Sequence, residues 1–318
     1  AMLVFFMHSG FSLLEAGCVR FKNTQNILAK NLIVVTLGFL CWYFIGYPLA
    51  FGVTTASEPT KFAGSNNFAM DGFLDAKSSF RNWFFQGCFC ATGGTIVSGA
   101  VAERSKLRGF ATYTVLMTSI IYPVVVHWAW SGNGIFNYGD GQSIVGPSLI
   151  DFAGSGVVHL VGGIGALTGA IFVGPRKGRW DPATENEFEG HSIPFCVLGT
   201  FFLWFGWYGF NPGSTLAMHD VGSANLAGLV AVNTTLSPCV AGLLVFFLRA
   251  MVLPPRLLDV GAFCNGILAG LVSITAPCGF VKPWEAIIIG FIGGLVYQGT
   301  SMLMKKVKVD DVVDAFAV

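Results

Sequence analysis

Long apolar stretches separated by short polar connections run along the whole chain. An apolar stretch of about 18 or more residues can cross a bilayer as a helix. Such stretches lie near residues 1–18, 26–51, 84–102, 109–130, 149–174, 194–211, 222–248, 260–276 and 284–304. A tenth begins near Asp314. We expect the sequence to begin inside the first helix and to stop within the tenth, so that both ends are truncated.

The composition supports a membrane protein and excludes several other classes. Hydrophobic residues make up 53% of the 318 residues and charged residues 11%, with a net charge of +1. This is too apolar for an ordinary soluble domain, and the charge favours no nucleic-acid partner. The eight cysteines have no metal-ligand spacing, and we interpret them as small core residues. We therefore predict a lipid bilayer as surroundings, and neither a metal nor a cofactor.

The basic residues are unevenly divided between the two sides of the predicted bundle. If alternate connections face opposite sides, fourteen Lys and Arg residues lie on one side and four on the other. The four are Lys61, Lys77, Arg81 and Lys282. The positive-inside rule then makes the first helix run inward. It predicts that the loops 53–82, 131–148 and 212–223 are extracellular.

Two ionisable residues, Asp151 and His159, lie within the apolar stretch 149–174. An ionisable residue inside a membrane span is costly, so it usually faces the bundle interior or a substrate pathway. Helix-to-helix hydrogen bonding is the alternative for an isolated histidine. These residues favour a transport site in the fifth span.

The order of the spans predicts an inverted repeat. Five spans beginning outside are followed by spans that begin inside, which is typical of transporters with two inverted halves. We place the halves at 1–174 and 194–318, within one transmembrane domain. The segment 311–318 weakly echoes 151–159, because each opens with an aspartate before Phe, Ala and Val residues.

A series of motifs in this chain resembles the family of ammonium transporters, methylammonium permeases and Rhesus proteins, and its ammonium transporter branch most closely. The matching blocks, in family order, are Gly10–Asn23, Phe85–Phe89, Gly99–Arg104, Asp151–His159, Gly206–Ser214 and Asp310–Asp314. The fifth-span and Gly206–Ser214 forms look most like the plant and algal class. The resemblance implies an all-α membrane fold of eleven helices with an inverted five-plus-five repeat, assembled as a homotrimer with one pore in each subunit.

The resemblance also implies roles for individual residues. Trp130, Phe85 and Ser214 match the outer site that recruits the ammonium cation. Phe89 and Phe210 match the stacked pair of rings that closes the pore.

His159 matches the first of the two pore histidines, and we expect its imidazole to be neutral in these apolar surroundings. Asp151 matches an aspartate that braces the outer vestibule, and Asp311 lies at the corresponding point of the second half. On this basis the substrate is ammonium or methylammonium, and the protein lies in a membrane, which we expect to be the plasma membrane.

These roles have simpler alternatives. Phe85, Phe89 and Phe210 are three of thirty phenylalanines, and on composition alone each would be packed or lipid-facing. Trp130 could belong to an interfacial aromatic belt, and Ser214 could be a turn residue after Pro212 and Gly213. His127 we expect to serve packing.

Among function classes, a conducting ammonium transporter is favoured over an ammonium sensor that signals through the same fold. An intramembrane enzyme is disfavoured, because we find no catalytic constellation in the spans. Within the family, Trp130 together with Ser214 argues against the Rhesus branch.

Overall fold

The computed structural model describes residues 1–52, 61–71, 79–136 and 149–318. Within these residues the chain forms nine long helices. They are α1 (Met2–Cys18), α2 (Phe21–Phe51), α3 (Ser79–Ala100), α4 (Leu107–Trp130), α5 (Ser155–Val173), α6 (Ile193–Phe210), α7 (Val221–Val252), α8 (Val260–Thr275) and α9 (Pro283–Lys306). Much of the two predicted outer loops, 53–60, 72–78 (with Lys77) and 137–148, lies outside the described residues.

The fold is a polytopic all-helical membrane bundle, as predicted. Six of the helices are long and apolar enough to cross a bilayer, and α1 and α8 are shorter apolar helices. Large apolar side chains such as Leu32, Phe172 and Phe201 are exposed on the outside of the bundle. In a bilayer this surface is in contact with lipid rather than water.

Prolines explain the irregular turns in two of the helices. α2 and α4 each contain one wide π turn, Trp42–Gly46 and Met117–Ile121, immediately before a segment with proline in its first turn. Proline has no backbone N–H, so the ladder of hydrogen bonds must adjust there. The two π turns lie against each other, with Gly46 close to the Thr118 carbonyl. Only a residue without a side chain allows this approach.

The centre of the bundle is the pair α1 and α6. Glycines on both helices lie against the partner's backbone or side chains: Gly10 against Leu203, Gly199 against Leu14, and Gly206 against Met7. Small residues allow such close contact between helices in a membrane, where packing rather than the hydrophobic effect holds helices together.

Helix contacts in the two halves follow the same pattern. In the first half α2 packs against both α3 and α4, and in the second half α7 packs against both α8 and α9. This is the arrangement that the predicted inverted repeat would produce, and the division into halves stays a prediction.

The start of the fifth span differs from the sequence prediction. We expected a helix from about residue 149, with Asp151 on it, but α5 begins at Ser155. Gly154 has a backbone φ of 109°, which a helix cannot accommodate and which glycine adopts readily. Asp151 therefore lies before the helix that carries His159, not on it.

Candidate functional site

Four aromatic rings form a continuous file through the middle of the bundle. Phe85 lies 4.7 Å from Phe89 between ring centroids, and Phe89 is stacked on Phe210 at 4.1 Å with 20° between the ring planes. Phe210 in turn lies 5.5 Å from His159. Phe89 and Phe210 are almost completely buried, at 1% and 0% exposure. This stacked pair separates Phe85 on one side from His159 on the other.

Trp130, at the end of α4, lies beside this file on the Phe85 side. Its ring centroid is 6.0 Å from that of Phe89, and its indole N–H donates to the backbone oxygen of Asp151 at 2.8 Å. The edge of the indole also lies against Gly154, where any side chain would come within 3.1 Å of the ring. The connection before α5 thus fixes the orientation of Trp130.

The carboxylate of Asp151 caps α5. It accepts hydrogen bonds from the backbone N–H groups of Gly154, Ser155, Gly156 and Val157, at 2.8 to 2.9 Å. The first N–H groups of a helix have no partner within the helix, and a carboxylate satisfies them well. All four bonds go to the chain itself, so the carboxylate is used to hold the start of the helix that carries His159.

Ser214 lies in a tight turn, Pro212–Thr215, that follows α6. Its hydroxyl donates to the Phe210 carbonyl at 2.8 Å, and the neighbouring Gly213 lies against the ring of Phe85. The hydroxyl oxygen keeps its lone pairs for a further donor. Ser214 is thus a turn residue, which was the alternative to a recruitment role, and its turn lies next to Phe85.

His159 lies on the other side of the stacked pair, in the first turns of α5. It is 8% exposed, and its Nε2 has no hydrogen-bond partner among the described residues. The imidazole borders a cavity of about 250 Å³. The walls of this cavity are mostly apolar and include Phe11, Leu203, Leu268 and Phe316.

Trp207 contacts His159 directly, although its role was not predicted from the sequence. The two rings are parallel within 9° at a centroid separation of 5.0 Å, and the indole N–H of Trp207 donates to the Thr275 hydroxyl at 2.9 Å. Trp207 lies three residues before Phe210, so both face the same side of α6. This spacing inside the Gly206–Ser214 motif is the signal that could have identified it.

Asp311 repeats the geometry of Asp151 at the other end of the bundle. Its carboxylate accepts from the backbone N–H groups of Ala315 and Phe316, four and five residues later, at 3.0 and 2.7 Å. Asp151 bonds the N–H groups at the same offsets. The weak sequence echo between 151–159 and 311–318 therefore corresponds to a shared local structure.

Charged residues from four separate connections meet at the Asp311 end of the bundle. Glu103 pairs with Arg20 at 2.6 Å and with Arg176 at 3.3 Å, and Asp310 pairs with Arg176 at 2.9 Å. Burial alone would raise the pKa of Glu103, but hydrogen bonds from Arg20 and the charge of Arg176 hold it below its ordinary value of 4.5. We call Arg20, Glu103, Arg176 and Asp310 the basic-end cluster.

Two other findings concern residues outside the file. His127 shares a hydrogen bond of 3.0 Å with the Ala50 carbonyl, which links α4 to α2. This is the packing contact that we expected for it. In the part of the chain that the structure describes, no group of three or more metal-ligating side chains comes together.

Comparison with known proteins identifies the family of this chain. The family model "Ammonium Transporter Family" matches residues 1–318. The chain belongs to the ammonium transporter family. Relatives within it include Ammonium transporter 1 member 1 of Arabidopsis thaliana, 42% identical over 95% of this chain, and Ammonium transporter Amt2 of Archaeoglobus fulgidus, 39% identical over 99%. These relatives are named as transporters, not enzymes.

Solved structures of the family have the same fold. The structure titled "Sensor Amt Protein" matches 100% of this chain with a TM-score of 0.86 and 35% identity. The chain spans 76% of that structure, and 61% and 66% of the plant and archaeal transporters. The plant and archaeal members are almost equally similar, so assignment to the plant and algal class stays a prediction.

Proposed function

We propose that this chain is the pore-forming part of an ammonium transporter, in which a recruited cation loses a proton and passes as ammonia. The observation that carries the proposal is the position of His159. Its imidazole borders a mostly apolar cavity directly beyond the stacked Phe89 and Phe210, and its Nε2 has no hydrogen-bond partner in the described part of the chain. A buried ring nitrogen without a partner among the described residues is available to hydrogen-bond a small N–H molecule.

Recruitment is assigned to the outer side of the file. Trp130 and Phe85 offer aromatic faces, which attract a small cation with about 1 to 2 kcal/mol when it is partly desolvated. Ser214 adds an acceptor, because its own proton is used by the Phe210 carbonyl. Together these side chains concentrate ammonium or methylammonium before the constriction.

The stacked phenylalanines supply the selectivity. An apolar constriction penalises every ion by desolvation, whether ammonium or potassium. Ammonium can transfer its proton to water on the outer side of the rings and cross as neutral ammonia, whereas potassium has no such route. His159 then receives the ammonia in the cavity beyond the rings.

The orientation follows from the charges. Arginines of separate connections meet in the basic-end cluster, and the positive-inside rule assigns that end to the cytoplasm. The loops 53–82, 131–148 and 212–223 are then extracellular. We further propose a plasma-membrane location and a homotrimer with one pore in each subunit, as the family resemblance implies.

The test measures uptake of labelled methylammonium by the full-length protein in oocytes, together with a recording of any current evoked by potassium. Methylammonium should be taken up, potassium should evoke no current, and His159→Ala should lower or abolish the uptake. The exposed Phe201→Ala on α6 is the matched control, since it alters an aromatic residue far from the file. A potassium current through the wild-type protein would refute the proposal.

An ammonium sensor is the second candidate, favoured by the likeness to the structure titled "Sensor Amt Protein". A sensor would bind ammonium without passing it. Binding measured calorimetrically on the purified full-length protein, together with no uptake of label in vesicles, would favour this reading.

A further inference from the structure

A deep apolar groove lies on the outside of the bundle, away from the aromatic file. Its volume is about 960 Å³, and α3, α4 and α5 form its walls. Tyr122–Trp130 of α4 contacts the first turns of α5, whereas the two helices separate toward the basic-end cluster. The groove is the space that this separation leaves.

The floor of the groove is formed by side chains of α3. Val97 and Val101 lie against Gly165 and Gly169 of α5, so closely that a side chain at either glycine would overlap them. Gly109 on α4, by contrast, has no heavy atom within 4 Å of the place where a side chain would begin. The groove is therefore shaped by packing at its floor and open along the α4 wall.

Polar residues in the groove are concentrated at one end. Arg104, Ser105 and Lys106 lie where α4 begins, and the buried Lys30 donates to the Ser105 hydroxyl at 2.6 Å. Arg104 is nine-tenths buried, and its guanidinium lies 3.8 Å from the Asp310 carboxylate and donates to the Asp310 carbonyl. Its Nε keeps a donor with no hydrogen-bond partner in the described part of the chain. Among the described residues that line the groove, none is acidic.

We propose that this groove binds an anionic phospholipid, with the acyl chains along α4 and α5 and the phosphate at Lys106 and Arg104. The apolar walls of the groove match the hydrocarbon of acyl chains. Arg104 and Lys106 at one end of the groove match the negative charge of a headgroup. Basic pockets between membrane helices on the cytoplasmic side are typical sites for anionic lipid headgroups. The first N–H groups of α4, which have no side-chain cap, add further donors near the phosphate position.

The experiment compares lipid binding to the purified full-length protein in nanodiscs. One set contains phosphatidylcholine alone and the other adds phosphatidylserine, and the lipid that stays bound after transfer to detergent is identified by mass spectrometry. We expect the wild type to retain phosphatidylserine in preference to phosphatidylcholine. Lys106→Gln should reduce that preference about fivefold, the contribution of one basic residue at an anionic membrane surface.

Two further variants make the test specific. Gly109→Leu places a side chain in the open wall and should reduce retention of phosphatidylserine without disturbing the fold, which the thermal unfolding midpoint checks. Lys305→Gln removes an exposed charge at the same end of the bundle but outside the groove, and should leave the preference unchanged. Equal retention of both lipids by the wild type would overturn the proposal, as would an equal loss in Lys305→Gln. Either result would leave the proposed ammonium transport untouched.

Discussion

The imidazole of His159 lies parallel to the indole of Trp207, with 9° between the planes and 5.0 Å between the centroids. Trp207 is itself held by its hydrogen bond to Thr275 on α8. A histidine with an unpartnered Nε2 has no polar contact on that nitrogen to fix its ring. The flat indole supplies this constraint through packing.

Replacing Trp207 should therefore impair transport even though Trp207 need not bind the substrate. We expect Trp207→Leu to lower ammonium uptake about tenfold, because small misplacements of a functional group cost that much or more. Trp207→Phe, which keeps a flat ring, should retain most of the uptake. Labelled methylammonium uptake measures both. Phe205→Leu, an exposed position on the same helix, is the control, and an equal loss there would contradict the idea.

The sequence was a good guide to the helices, because membrane spans must be apolar over a fixed length. Eight of the nine helices begin within five residues of the first residue of the corresponding predicted stretch, and α5 is the exception. Its apolar run continues backward through Leu149 and Ile150, so hydropathy alone cannot locate the start. The left-handed Gly154 and the cap by Asp151 determine it, and neither changes the hydropathy.

Individual site residues were harder to predict from physical principles. Phenylalanine is so frequent in this chain that only motif resemblance distinguished Phe89 and Phe210 from the other twenty-eight. Trp207 was missed because a tryptophan in an apolar helix is expected to pack somewhere, and its partner on a different helix is a matter of tertiary structure.

The stacked rings should act as an apolar seal rather than through stacking itself. Phe210→Ala should allow a potassium current and lower the ammonium-to-potassium response ratio about tenfold, because an apolar constriction keeps ions out by excluding water. Phe210→Leu preserves apolar volume and should remain selective. The two variants are compared by uptake of labelled methylammonium and by the current that an equal concentration of potassium evokes. An equal loss of selectivity in both variants would show that selectivity requires the aromatic ring itself and not only its apolar volume.

The two capping aspartates should stabilise the fold strongly. Asp151→Ala leaves four backbone N–H groups of α5 without their acceptor, and we expect a loss of about 2 kcal/mol or more in the free energy of unfolding. Asp311→Ala should cost somewhat less, since it removes two such bonds. Thermal unfolding in detergent measures both. Asp220→Ala provides the control, since Asp220 caps α7 at an exposed position where water can replace it.

The basic-end cluster should make stability depend on pH in the acidic range. The pKa of Glu103 lies below its ordinary value of 4.5, because Arg20 and Arg176 outweigh the effect of burial. The pKa of Asp310 is also low: burial alone would raise it, but Arg176 and Arg104 hold it below 3.8. A carboxylate with a lowered pKa stabilises the folded state above its ordinary pKa, and this stabilisation is lost as the pH falls through the lower, folded value.

Glu103→Gln should consequently cost about 3 kcal/mol near neutral pH, because it removes the carboxylate that pairs with Arg20 and one of the two carboxylates that pair with the buried Arg176. The difference from the wild type should begin to shrink below pH 4.5, where the carboxylate becomes protonated in the unfolded chain, and should vanish as the pH falls below the lower pKa of the folded protein. Thermal unfolding in detergent across this pH range measures the difference. Glu189→Gln, at an exposed position of the connection between α5 and α6, should differ little from the wild type at any pH. A Glu103→Gln deficit that persists unchanged at acidic pH would mean that shape, rather than charge, accounts for the contribution of Glu103.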